Sequence, residues 1–184
     1  DAVTANVDMT AAIFAMANVP APEGIDGKNL LPLLANTAGK VRDWLPLFNH
    51  WGSASAQSMA VVSSQWKYIH WYYAGRLKPE DPAMKPTEEL FHLAVDGTEM
   101  NNVATDTRFA SQLAIARAAY DAEVASMNTK VIQGHHYEPY PVLFERMTSW
   151  ESKEPLLPQI MGSGDTEGGG GKANTAGKKK AKRE

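Results

Sequence analysis

Cysteine is absent from all 184 residues. That excludes disulfides, thiolate metal sites and a cysteine nucleophile within the chain. It leaves the compartment open, because many exported proteins also lack disulfides. No apolar run approaches the length of a membrane span. No charged stretch followed by an apolar core reads as a signal peptide. The chain opens at Asp1, and we expect a fragment of a longer protein, with any leader upstream. Also missing are a catalytic triad, a paired-carboxylate site, a dinucleotide loop and any internal repeat, so no self-contained active site can be read.

Charge of one sign is scarce where nucleic acid would need it. Six basic residues (Lys172, Lys178, Lys179, Lys180, Lys182 and Arg183) against Asp165, Glu167 and Glu184 give residues 163–184 a balance of +3. The whole chain carries −3, which leaves the remaining body at −6. An acidic body has no electrostatic footprint for nucleic acid. The tail "KKKAKR" (178–183) reads foremost as a solvated, solubilising segment. With its Gly-rich approach it is expected to be disordered.

What is present reads as a small α+β layer. "VDMTAAIFAMAN" (7–18) predicts a helix with Asp8 as N-cap, Met9, Ile13 and Met16 on one face, and Asn18 in the left-handed position at its end. Leu30, Leu31, Leu33 and Leu34 form a short apolar plug, and residues 35–45 a linker. "LPLFNHW" (45–51) predicts a strand. "SMAVVSSQWKYIHWYY" (58–73) predicts two strands around Ser63-Ser64, with Trp66, Tyr68, His70 and Tyr72 alternating against Lys67, Ile69, Trp71 and Tyr73.

"EELFHLAVDGTEMNNVA" (88–104) supplies a further strand over 90–95. Period two puts Phe91, Leu93 and Val95 on the buried face, Leu93 near Leu113 or Tyr120, and His92 towards solvent or an edge. Asp96-Gly97 is a turn pair that tolerates positive φ, and Asn101 and Asn102 are suited to bonding nearby backbone. Residues 107–127 predict the clearest helix, with Phe109, Leu113, Ala116, Tyr120, Val124 and Met127 as its stripe. Residues 131–162 read as an irregular, proline-containing extension.

Local candidates for chemistry are few. His135-His136 has no third metal ligand nearby, and adjacent side chains diverge in most backbones. His70 and His92 read as packed strand histidines. The aromatics Trp66, Tyr68, Trp71, Tyr72 and Tyr73 read as sheet packing rather than a ligand platform. "GGGGKA" (168–173) fails as a phosphate loop, because Ala173 stands where Ser or Thr must reach magnesium and Thr166 replaces the first Gly.

Taken in order, several of these stretches resemble the C-terminal portion of a type I, formylglycine-dependent sulfatase (arylsulfatase) of the alkaline-phosphatase-like superfamily. "VDMTAAIFAMANVPAP" resembles the helix before that family's C-terminal region, and "IDGKNLLPLL" its Asp-Gly-x-Ser/Asn-Leu-x-Pro-Leu-Leu plug. "LFNHWGSASAQSMAVVSSQWKYIHW" is similar to its strand, loop and hairpin, with Val62 in place of the usual Arg. In 88–104, Glu89, Leu90, Leu93, Asp96, Glu99, Asn102 and Ala104 match the family pattern, while His92 and Gly97 replace Asp and Pro. "RAAYDAEVASM" resembles the helix that follows. The resemblance covers residues 1 to about 150.

The resemblance implies an α+β fold: a small antiparallel sheet covered by a long C-terminal helix, preceded by a helix of the parent enzyme's α/β main domain. Residues 1–34 would end that main domain, 35–45 link, 46–130 form the antiparallel subdomain, 131–162 extend it, and 163–184 trail as tail. The implied activity is hydrolysis of sulfuric esters of a carbohydrate or aryl sulfate. A non-catalytic binding module and a phosphonate or phosphate monoester hydrolase of the same superfamily are the alternatives. No catalytic or metal residue carries over, since no Ser-x-Pro-x-Arg and no metal-binding Asp-Asn pair occurs. Calcium and the formylglycine are expected upstream. His50 and Trp51, opening a loop at a strand end, are the candidate substrate contacts. The expected partners are a sulfated small molecule or polysaccharide and the missing main domain, with no membrane, and a periplasmic or secreted location.

Overall fold

A computed structural model describes residues 2–49, 58–71, 87–134 and 137–156. Its first helix, α1 (Val7–Met16), ends as the sequence predicts: Asn18 adopts φ 54°, and the Val19 amide reaches back to the Phe14 carbonyl at 2.9 Å. A one-turn helix, α2 (Leu31–Ala35), follows, and none of its residues is buried.

The sheet has four antiparallel strands in sequence order: β1 (Leu45–Asn49), β2 (Ser58–Val62), β3 (Trp66–Trp71) and β4 (Thr87–His92). The β2–β3 turn forms where Ser63-Ser64 stands, the Ser63 hydroxyl accepting from the Trp66 amide at 3.0 Å. A 3-10 turn (Thr107–Phe109), capped by the Asp106 side chain, leads into α3 (Ala110–Thr129). The stripe read from the sequence is the face that packs: Leu113, Ala116, Tyr120 and Val124 are buried, with Phe109 and Met127 at its ends.

One face of the sheet meets α3. Met59, Val61, Tyr68 and Leu90 interlock there with Leu113, Ala116 and Tyr120. The opposite face carries a smaller cluster of Ala60, Ile69 and Phe91, with Trp71 and Leu93 against it. This corrects the expected orientation of residues 90–95. Leu90, not Leu93, faces α3; Phe91 and Leu93 lie on the far side; Val95 is 78% exposed. Register explains it. Tyr68 pairs with Leu90 and Trp66 with His92, so those residues share the face already claimed by the Trp66–Tyr68–His70 series. His92 stacks on Trp66 with ring centroids 4.1 Å apart instead of turning to solvent.

The strand also ends earlier than expected. The amides of Val95 and Asp96 both return to the His92 carbonyl, so the chain is already turning at Leu93. Positive φ falls on Glu99 (56°), not on Asp96-Gly97. Asp96 works through its carboxylate, which accepts from the Met100 and Asn101 amides at 3.1 and 2.8 Å.

Asn102 then behaves like a fragment of a fifth strand. Its side-chain oxygen takes the Leu90 amide at 3.0 Å and its nitrogen donates to the Glu88 carbonyl at 3.3 Å. Edge groups of β4 are thereby satisfied without another strand. Where the sequence shows only irregular chain beyond residue 131, two short helices form, α4 (Tyr140–Phe144) and α5 (Trp150–Lys153). Leu143 and Phe144 complete the main core, and Phe144 meets Phe48 of β1 at 5.3 Å.

Candidate functional site

The substrate contacts expected from the sequence, His50 and Trp51, lie outside the described residues, as do His135-His136 and the basic tail. Strand β1 runs as far as Asn49, immediately before them. What the described residues bring together is polar clamping, in two places.

The first clamp centres on Asp8. Its side chain is fully buried and does not cap α1, correcting the expected N-cap; Asn6 holds that position without a side-chain bond. Both Asp8 oxygens instead receive the Arg42 guanidinium, and the Ala5 and Lys28 amides add bonds of 2.7 and 2.8 Å. Arg42 holds the Asp8 carboxyl down at about 2, even though burial opposes its charge. One carboxylate therefore joins α1, the Asp26-Gly27-Lys28 loop and the approach to β1. Gly27 is required by the same packing, since a Cβ there would stand 2.2 Å from the Val7 carbonyl oxygen. The Asp-Gly of the plug motif thus has a local physical cause.

The second clamp centres on Glu88 of β4. It accepts from Tyr68 at 2.8 Å, from the Arg117 guanidinium, and from Arg146 at 3.1 Å. Arg146 also grips Asp121 with bonds of 2.8 and 2.7 Å. Burial would raise the Glu88 carboxyl, but the bonds from Arg117 and Tyr68 outweigh it and leave it lowered. A carboxylate held ionised by three donors is a poor general acid or base. Its work is to tie β3, β4, α3 and the chain after α4 together. None of these partners carries a sequence signal, since only the folded register brings residues 68, 88, 117 and 146 to one point.

A cavity of about 870 Å³ opens beside edge strand β1, with Trp44, Phe48, Met127 and Tyr140 among its walls. It is largely apolar. No group of three or more His, Asp or Glu residues able to hold a metal ion occurs among the described residues.

The family model for the C-terminal region of N-sulphoglucosamine sulphohydrolases matches residues 1–121. The chain belongs to that family. The match runs from α1 through the whole sheet and into the middle of α3, so the two clamps lie largely within it. Among curated relatives, arylsulfatase K of Rattus norvegicus is 28% identical over 107 residues, covering 54% of this chain and 17% of the relative. Arylsulfatase K of Mus musculus is 26% identical over 111 residues, covering 56% of this chain and 18% of the relative. The chain thus spans less than a fifth of the length of these enzymes.

A solved protein in complex with its substrate D-glucosamine-2-N,6-O-disulfate superposes at TM-score 0.50 and 22% identity, covering 62% of this chain and 22% of that one. A Bacteroides thetaiotaomicron protein assigned as a sulfatase gives the same score and identity, with 65% and 24% covered. At that identity the likeness speaks for the α+β fold. Calcium, which the sulfatase resemblance implies together with a formylglycine, meets no fitting group of ligands among the described residues. There is no Cys to oxidise and no Ser-x-Pro-x-Arg. Asp8, Glu88, Asp106 and Asp121 are each engaged by an arginine.

Proposed function

We propose that this chain is the C-terminal part of a sulfatase that hydrolyses sulfate groups on a carbohydrate, sulfated glucosamine being the favoured class. The observation that carries the proposal is the family match over residues 1–121. It is supported by two relatives that are arylsulfatases and by a structural neighbour solved with a disulfated glucosamine. The chain contributes architecture, while nucleophile and calcium belong to the upstream part. His50 and Trp51, directly after β1, are proposed to help select the sulfated substrate. The exposed stripe of Met9, Ile13 and Met16 on α1 is proposed to pack on the missing main domain. A periplasmic or secreted location goes with this reading.

The test compares the full-length protein with residues 1–184 alone, each given calcium and either D-glucosamine-2-N,6-O-disulfate or a chromogenic aryl sulfate. Sulfate release is expected from the full-length protein and none from the chain alone. Turnover by the chain alone that survives repurification would overturn the architectural role. Full-length protein that cleaves only a phosphonate or phosphate monoester would overturn the substrate class. With His50→Ala or Trp51→Ala in the full-length enzyme, KM for the carbohydrate should rise while the aryl sulfate is little affected.

A further inference from the structure

His70 lies in the middle of β3, 3% exposed, and neither of its ring nitrogens has a hydrogen-bond partner among the described residues. A neutral imidazole carries one donor and one acceptor, so leaving both unmet in the interior is costly. Its cross-strand neighbours are Met59 on β2 and Glu88 on β4. From α3 the Tyr120 ring stands edge-on at 5.7 Å, and the Asp121 charge acts on the imidazole as well. From the chain after α4 come two cations, Arg146 and Lys153.

Neither carboxylate offers the imidazole an acceptor. Glu88 is taken by Tyr68, Arg117 and Arg146, and Asp121 by Arg146. Lys153 is itself only 2% exposed; it donates to the Glu145 carbonyl at 2.7 Å and forms no ion pair among the described residues. Arg146 bonds Glu88, the cross-strand neighbour of His70, at 3.1 Å, so the chain after α4 is tied to the sheet there. The tie lies beside a buried histidine with no hydrogen-bond partner among the described residues, and the Lys153 charge lies within electrostatic range of it.

We propose that His70 and Lys153 form an acid-sensitive latch: residues 145–156 stay seated on the sheet while His70 is neutral and lift when it takes a proton. The sign follows from proton affinity. Burial first, and the Lys153 charge second, hold seated His70 down at about 4. Once the segment lifts, a hydrated imidazole returns to its ordinary value near 6.5. The lifted form binds the proton more tightly, so seating is firm above about pH 6.5 and weakens as pH falls towards 4. Burial pushes Lys153 down to about 8, which acts in the same direction: its charge is a burden at neutral pH, relieved only above that value.

Hydrogen–deuterium exchange of the full-length protein at pH 7.5 and 5.0, corrected for intrinsic rates, tests the latch. Peptides covering 140–156 should open roughly tenfold or more at the lower pH, while peptides from α1 change little. His70→Phe should reduce the rise to less than about threefold. Lys153→Met, a second route if that variant folds poorly, should shrink the rise without loosening the segment at pH 7.5. A flat wild-type response overturns the proposal. So does a rise undiminished in either variant that retains native exchange elsewhere.

Discussion

Residues 2–44 and residues 45–144 are held in place by different forces. The earlier stretch buries one carboxylate, two alanines and little else, and leaves Val7, Met9, Ile13, Met16 and Leu34 to solvent. The later stretch encloses Met59, Tyr68, Leu90, Tyr120, Leu143 and Phe144 almost completely. One is located by directional bonds to Asp8, the other by apolar burial behind α3. The difference shows what each can do without a neighbour. A sheet with its own core buries its apolar face without a neighbour, whereas α1 is pinned by its polar side and leaves an apolar stripe uncovered among the described residues.

The largest effect should come from cutting the polar clamp. Arg42→Ala leaves Asp8 buried beside two amides with no counter-charge, a loss that typically costs about 3–5 kcal/mol. Exchange protection should collapse across residues 2–30 while residues 58–71 stay protected. Equal loss in both regions would break the distinction. Next comes the core. Leu90→Ala should cost about 2–5 kcal/mol, because Leu90 is fully enclosed against α3. Leu93→Ala should lower the unfolding midpoint less, since Leu93 is only partly buried on the opposite face.

That ranking of Leu90 above Leu93 marks where the sequence stopped being legible. Long-period signals survive folding well. The stripe of α3 and the alternation of Trp66, Tyr68 and His70 are both present as read, because many residues vote for one geometry. Residues 90–95 contain six positions that are apolar but for His92, so either face could be the inner one. The choice was made by pairing with Trp66 and Tyr68, a non-local fact. The clamp residues were hidden for the same reason. Asp8 resembles an N-cap in sequence, and only the arrival of Arg42 shows that its carboxylate points inward. The family resemblance was readable because the plug and the 88–104 segment keep residues with fixed local jobs, such as Gly27 under Val7 and Asn102 on the edge of β4.

Acid should separate the two regions further. Asp8 sits at about 2 in the fold against 3.8 ordinarily, a depressed carboxylate. Its contribution is present above about pH 4 and is lost as pH falls through 4 to 2, about 2 kcal/mol in all. The His70–Lys153 seam yields in a higher window, between pH 6.5 and 4. Exchange profiles in a pH series should therefore show residues 145–156 loosening before residues 2–30. Loss in the opposite order would mean that Asp8 is less firmly held than its four bonds imply.

The smallest effect tests whether α1 is an interface at all. Ile13 is exposed, so Ile13→Ser in residues 1–184 alone removes little buried surface and should change stability by no more than about 0.5 kcal/mol. In the full-length protein the same side chain, with Met9 and Met16 beside it, should lie against the main domain. Burial of an isoleucine there is worth about 1.5–3 kcal/mol, so the substitution should lower the full-length melting temperature. The comparison is internal: one variant, two chain lengths, and a difference rather than an absolute value. If Ile13→Ser is equally silent in both, the stripe is not covered by the upstream part, and α1 is positioned by the Asp8 clamp and the burial of Ala11 and Ala12.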